Sequence, residues 1–171
     1  MNIEKLREFE GFNRLSEKEK WYIENRLIDQ FNWYDEKSVL NQKWFKRLKA
    51  TEYIVTGLIV LSSTLSTTWS PARYITVLLS TILAIISGIQ TLNKYQENWL
   101  EYRTTAETLK HELFLYLSKA GPYKGLSNEE AFQKLVERVE SLISEENTEW
   151  RMYIQKTGTQ TDNLNSIGGI R

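Results

Sequence analysis

Between Tyr53 and Asn93 lie 41 residues with a single charge, Arg73. Tyr53 to Ala72 is a run of 20 residues without a charged side chain, and Tyr74 to Asn93 is a second run of 20. A helix rises about 1.5 Å per residue, so each run covers roughly 30 Å, the hydrocarbon thickness of a bilayer. Between them stands Trp69-Ser70-Pro71-Ala72-Arg73, with Pro71 as the breaker. The pattern predicts a transmembrane helical hairpin with spans at 53–70 and 74–93. A buried hairpin in a soluble bundle is the competing reading. It leaves the aromatic residues at the ends of both runs without an explanation.

The arms on either side follow from periodicity. Ser16-Glu17-Lys18-Glu19 reads as a capping box. No Gly or Pro then occurs until Gly57, and Ile23, Leu27, Phe31, Tyr34, Asn41, Phe45 and Leu48 recur at intervals of three and four. This predicts one unbroken helix over 17–69, with a soluble part of roughly 50 Å. The second helix should run over 72–119 and carry Tyr95, Trp99, Tyr102, Ala106, Leu109, Leu113 and Leu117 on one stripe. A tight turn makes the two antiparallel, so the stripes can face each other in coiled-coil fashion. Gly121-Pro122 stops the second helix. Ser127 to Glu130 is another capping box. It opens a third helix with Phe132, Leu135, Val136, Val139, Leu142 and Ile143 inward, Glu137, Glu140, Glu145 and Glu146 outward, and an end near Gln155. The expected organisation is a short N-terminal segment at 1–15 (Ile3, Leu6 and Phe9 on one helical face, interrupted at Gly11), a single membrane domain at 16–156 and a disordered tail at 157–171. The fold class is all-α: a transmembrane hairpin with long cytoplasmic helical extensions and a packed C-terminal helix.

Orientation comes from the basic residues. Lys43, Lys46, Arg47, Lys49, Lys94 and Arg103 flank the open end of the hairpin, and Arg73 stands alone at its turn. That asymmetry places both termini in the cytoplasm and the spans in the inner membrane. Trp44, Phe45, Tyr53, Tyr95 and Trp99 mark the inner boundary, and Trp69 and Tyr74 the outer. The charged N-terminus lacks the apolar segment of a cleaved signal peptide.

The polar residues within the spans are the candidate functional residues. At about 100° per residue, Thr56, Ser63 and Thr67 share one face of the first span, with Glu52 extending the line at its inner end. Thr76, Ser80, Ser87 and Thr91 cluster on the second, where Ser80, Ala84 and Gly88 also form a small-residue seam. These eight polar residues (Glu52, Thr56, Ser63, Thr67, Thr76, Ser80, Ser87 and Thr91) are candidate pore-lining positions in an oligomer, and a ring of Glu52 would favour cations. The packing alternative stays open: small residues permit close helix approach, and Ser or Thr can bond back to its own helix. Glu52 can equally be a boundary residue paired with Lys49.

Other chemistry is sparse. Lys+Arg and Asp+Glu both total 22, so no charge excess points to nucleic acid. Without cysteine there is no disulfide, thiolate metal site or cysteine nucleophile. His111 is the sole histidine; Glu107 and Glu112 stand beside it, which suits a surface helix better than a metal site. No phosphate-binding loop or nucleophile elbow occurs. The expectation is a non-enzyme without a cofactor.

Longer words in the arms are familiar. They are Arg26-Leu27-Ile28-Asp29-Gln30-Phe31-Asn32-Trp33-Tyr34-Asp35-Glu36-Lys37, Gln96-Glu97-Asn98-Trp99-Leu100-Glu101-Tyr102-Arg103-Thr104-Thr105-Ala106-Glu107, Leu115-Tyr116, Ala120-Gly121-Pro122-Tyr123, and Val136-Glu137-Arg138-Val139-Glu140 running on to Ile143-Ser144-Glu145-Glu146. In this order, over roughly residues 20–150, the chain resembles the DUF4231 branch of the SLATT superfamily of bacterial two-span membrane proteins. The resemblance implies a pore-forming effector of bacterial conflict or nucleotide-signalling systems, and it brings no catalytic residues. Together with the hydroxyl stripes it leads to an expected homo-oligomer, four copies being the first choice among small even numbers, that conducts ions across the bilayer. The alternative is a non-conducting membrane scaffold that binds a protein partner through its cytoplasmic helices.

Overall fold

The computed structural model describes residue 7 and residues 10–144, which form helices and turns with no strand among them. In order these are α1 (Glu10–Asn13), α2 (Glu17–Tyr22), a π-helical turn (Ile23–Leu27), α3 (Ile28–Leu65), α4 (Ala72–Asn93), α5 (Tyr95–Leu117), a 3₁₀ turn (Gly121–Tyr123) and α6 (128–144). Two compact units result, one of Met1–Phe31 with Glu107–Arg171, the other of Asn32–Ala106. Ile3, Leu6, Phe9, the end of the third helix near Gln155 and the tail at 157–171 lie outside the described residues.

The Asn32–Ala106 unit is the hairpin. On α3 the positions Tyr34, Ser38, Asn41, Phe45, Leu48, Glu52, Val55, Ile59, Ser62 and Ser66, the last just past its end, are buried or half-buried. The steps alternate four and three. On α4 the sheltered positions are Ala72, Thr76, Leu79, Leu83, Ile86 and Gln90, again at fours and threes. Alternating steps average 3.5 residues, the repeat of a left-handed antiparallel pair. Arg103 with Asp35 (2.9 Å) and the stacked pairs Trp44–Tyr95 and Phe45–Trp99 tie the arms beyond the spans. Both long helices contain a stretch apolar enough to cross a membrane, and only 11% and 0% of those stretches is buried. The core helix of a soluble bundle would be mostly covered, so the membrane reading is favoured.

The first helix ends at Leu65, four residues short of the expected Trp69. Ser66 Oγ and Thr67 Oγ1 donate to the carbonyls of Ser63 (2.6 Å) and Thr64 (2.9 Å), and such local bonds compete with helix propagation. Pro71 then disfavours helical geometry at Ser70 and opens α4, where its missing N–H costs nothing. The second helix is not the expected unbroken rod over 72–119. Lys94 adopts left-handed backbone (φ 47°, ψ 39°) while its N–H still reaches the Gln90 carbonyl at 3.0 Å. Beyond Gln90 the sheltered positions are Lys94, Tyr95, Asn98, Trp99 and Tyr102. A non-glycine residue pays for the left-handed conformation, so Lys94→Gly should stabilise the protein by about 1 kcal/mol in thermal or denaturant unfolding. A loss of stability would show that the Lys94 side chain outweighs its backbone cost.

The other unit is built on Ile23, Leu27, Ile28, Phe31, Leu109, Leu113, Tyr123, Leu135 and Val139, all buried. Both capping boxes form: Ser16 N–H donates to Glu19 Oε2 (2.6 Å) and Ser127 N–H to Glu130 Oε2 (3.0 Å). The π turn adds a residue to the inward face, so Leu27 and Ile28 are both fully buried. Gly11 sits inside α1 instead of ending a helix. Three carboxylates fasten this unit, each accepting a tyrosine hydroxyl: Glu19 from Tyr116 (2.5 Å), Glu112 from Tyr123 (2.8 Å) and Glu140 from Tyr22 (3.0 Å). Arg138 grips both Glu112 oxygens, and Arg26 grips both of Glu140. Glu140 therefore does not belong to a solvated acidic face. It is turned into a network that periodicity alone could not reveal.

These contacts imply a pH response. The Arg138 guanidinium holds Glu112 below the usual carboxylate range against the opposing effect of burial, and Arg26 does the same for Glu140. Burial pushes Glu19 up, but hydrogen bonds from Ser16 and Tyr116 outweigh it and leave it lowered. A carboxyl depressed on folding contributes stability that is complete above its unfolded value, about 4.3 for Glu, and is lost as pH falls through the folded value. Melting temperature should therefore fall on acidification below about pH 4.5, and Glu112→Gln should flatten that fall. An unchanged acid limb in Glu112→Gln would remove Glu112 from the explanation.

Candidate functional site

Seven of the eight candidate residues lie in the two spans and Glu52 borders the first, and the seam divides them. Glu52 and Thr76 lie on it. Near the open end, Glu52 Oε2 accepts from Lys49 Nζ (2.9 Å) and from Gln90 Nε2 of α4 (3.0 Å). Near the turn, Thr76 Oγ1 is 2.8 Å from Ser62 Oγ. The hairpin is thus pinned at both ends by polar contacts. A charge or hydroxyl in a low-dielectric seam is costly unless paired, and here each is paired. Ser62 and Gln90 were not among the expected site residues. Their signal was the alternating spacing through Glu52, Val55, Ile59 and Ser62 on one side and Thr76, Leu79, Leu83, Ile86 and Gln90 on the other.

The other six candidates, Thr56, Ser63, Thr67, Ser80, Ser87 and Thr91, are exposed. At about 100° per residue the α3 stripe stands roughly 90° from the seam, and the α4 stripe roughly 80° from it in the same sense. In an antiparallel pair, equal offsets of the same sense fall on the same broad side. All six hydroxyls therefore share one broad side of the hairpin, with Ala84 and Gly88 at its margin on α4. The opposite face is Ile54, Leu58, Leu61 and Leu65 with Ile75, Leu78, Ile82, Ile85 and Ile89, all exposed. One side carries the six hydroxyls together with the exposed Val60 and Val77; the other is mainly aliphatic, with Asn93 at its inner end.

Most of the hydroxyls are engaged locally. Thr56 donates to the Glu52 carbonyl (2.7 Å), Thr67 to Thr64 (2.9 Å), Ser80 to Thr76 (2.8 Å) and Thr91 to Ser87 (2.9 Å). Such bonds let a hydroxyl sit at membrane depth without a second helix. At its inner end the hydroxyl face opens into a groove of about 510 Å³ lined by Phe45, Lys49, Glu52, Ser87, Thr91 and Lys94, among others. No titratable cluster suited to acid–base chemistry lies in the spans. Among the described residues no group of three or more His, Cys, Asp or Glu side chains could hold a metal, and His111 is exposed.

No curated protein and no solved structure matches the chain. A family profile does match, over residues 29–131, which takes in the hairpin, the adjoining parts of both arms and the start of α6. On that match the chain belongs to the family described as protein of unknown function (DUF4231).

Proposed function

We propose that this DUF4231 protein is a homo-oligomeric integral membrane protein of the inner membrane whose copies turn their hydroxyl faces toward one another around an ion-conducting path. The observation that carries the reading is the division of the hairpin into an aliphatic face and a hydroxyl face. The aliphatic face suits lipid. Six hydroxyls on one side suit water or a neighbouring copy, and two spans are too few to enclose a path alone. Both termini are cytoplasmic in this arrangement, from the excess of Lys and Arg at the open end. The path would be selected by hydroxyl dipoles. Glu52, already engaged by Lys49 and Gln90, contributes a partly neutralised charge at the inner mouth.

The test is a purified sample in mild detergent, followed by reconstitution. Mass measurement should return a closed oligomer, bilayer recordings should show discrete currents, and a reporter after Arg171 should be cytoplasmic while one at Ser70 is outside. A monomer, or a reporter outside at Arg171, overturns the proposal. A well-formed oligomer that stays silent across voltages and ions favours the scaffold reading. That reading has its own support in the other unit, where Lys18, Trp21, Tyr22, Phe132 and Val136 line an open groove of about 460 Å³ suited to a partner's apolar side chain.

A further inference from the structure

Just before the first span, α3 carries Lys43, Lys46, Arg47 and Lys49 with no acidic residue among them. Lys49 is spoken for by Glu52 (2.9 Å). Lys43, Lys46 and Arg47 are exposed and make no ion pair among the described residues. On a helix they span an arc of roughly 100° whose centre points directly away from the seam formed by Phe45, Leu48 and Glu52. On the opposing arm Glu97 is paired with Lys94 (3.3 Å), and further from the spans Asp35 of α3 is paired with Arg103 (2.9 Å).

Their height matters as much as their direction. Arg47 lies six residues and Lys43 ten residues before Tyr53, about 9 and 15 Å along the axis. The headgroup layer is about 5–8 Å deep, and charges act through about 8–10 Å of physiological salt. The three cations therefore stand over the phosphate layer within reach of its potential. Trp44, half exposed and stacked on Tyr95 at 6.4 Å, lies among them and suits the interface as a depth anchor.

We infer that Lys43, Lys46 and Arg47 form a docking surface for anionic phospholipid headgroups, which makes the stability of the hairpin depend on the charge of the surrounding leaflet. This rests on the membrane reading above. The occupant is a lipid and not a soluble polyanion because the cations face outward within about 6 Å of one another along the axis, beside an aromatic anchor at the membrane boundary.

The experiment uses the full chain in mild detergent, titrated with short-chain phosphatidylglycerol or phosphatidylcholine and followed by thermal unfolding. Phosphatidylglycerol should raise the melting temperature saturably, the effect should shrink as salt rises, and phosphatidylcholine should do little. Each surface cation is worth about fivefold in binding, so the triple variant Lys43→Gln, Lys46→Gln, Arg47→Gln should weaken the phosphatidylglycerol response at least tenfold. Lys43→Arg with Lys46→Arg should retain it, which separates charge from damage to the fold. Equal responses to the two lipids, or a triple variant that responds like the wild type, overturn the inference. So does an oligoglutamate peptide that reproduces the phosphatidylglycerol effect, since the surface would then serve an acidic protein. Alkaline carbonate extraction distinguishes the two levels. A wild-type chain stripped from membranes ends both readings, whereas one that is retained but indifferent to lipid charge ends only this one.

Discussion

Leu109→Asp should unfold the unit formed by Met1–Phe31 and Glu107–Arg171. Leu109 is fully buried on α5, and the carboxylates of that unit already have their cations and hydroxyls. An added charge would find no partner, and an unpaired buried charge costs on the order of 4–5 kcal/mol or more. Whole domains are stable by only about 5–15 kcal/mol. Leu109→Ala, which leaves a cavity but no charge, should cost about 2–5 kcal/mol and leave a weakened fold. The two variants should separate in limited proteolysis: rapid cleavage within 107–144 for Leu109→Asp, slow cleavage for Leu109→Ala. Wild-type resistance in Leu109→Asp would mean that the α5 face is wrongly assigned.

Local signals in the sequence are legible because their physics is local. Two uncharged runs with aromatic ends specify apolar helices wherever they are placed. A Ser three residues before a Glu specifies a cap, and both capping boxes formed. Leu109 and Tyr34 were legible as inward positions from spacing alone, and both are buried. What spacing does not encode is the identity of distant partners. Glu140 looked like one more acid on a solvated face because Arg26 and Tyr22 lie more than a hundred residues away. Lys94 gave no warning of its left-handed backbone, since a lysine in a charged helical stretch has good helix propensity. Ser62 was hidden among the hydroxyls of its span until Thr76 stood opposite it. Recognising the hydroxyl face took both spans together, because each stripe alone is an unremarkable run of Ser and Thr.

That shared face supports the prediction closest to function. Ser63 and Ser87 are the middle hydroxyls of the two stripes, both exposed on the same side of the hairpin. Leucine at either position exchanges a group that holds water for a bulky one that does not. If copies meet across this face around a water path, Ser63→Leu or Ser87→Leu should reduce unitary current at least tenfold, or abolish it, through a hydrophobic constriction. Membrane insertion should persist, because leucine at the centre of a span favours it. The converse change belongs on the other side. Leu61→Ser and Ile85→Ser place a hydroxyl on the aliphatic face, where it can bond back to its own helix at small cost, and should leave current and oligomer mass nearly unchanged. The decisive comparison is between faces and not between residue types: two substitutions on each side, Ser63 against Leu61 at one depth and Ser87 against Ile85 at another. Loss of current in the aliphatic-face pair with normal current in Ser63→Leu and Ser87→Leu would invert the assignment and put the path on the side here given to lipid. Equal effects from all four would mean that neither face lines a path.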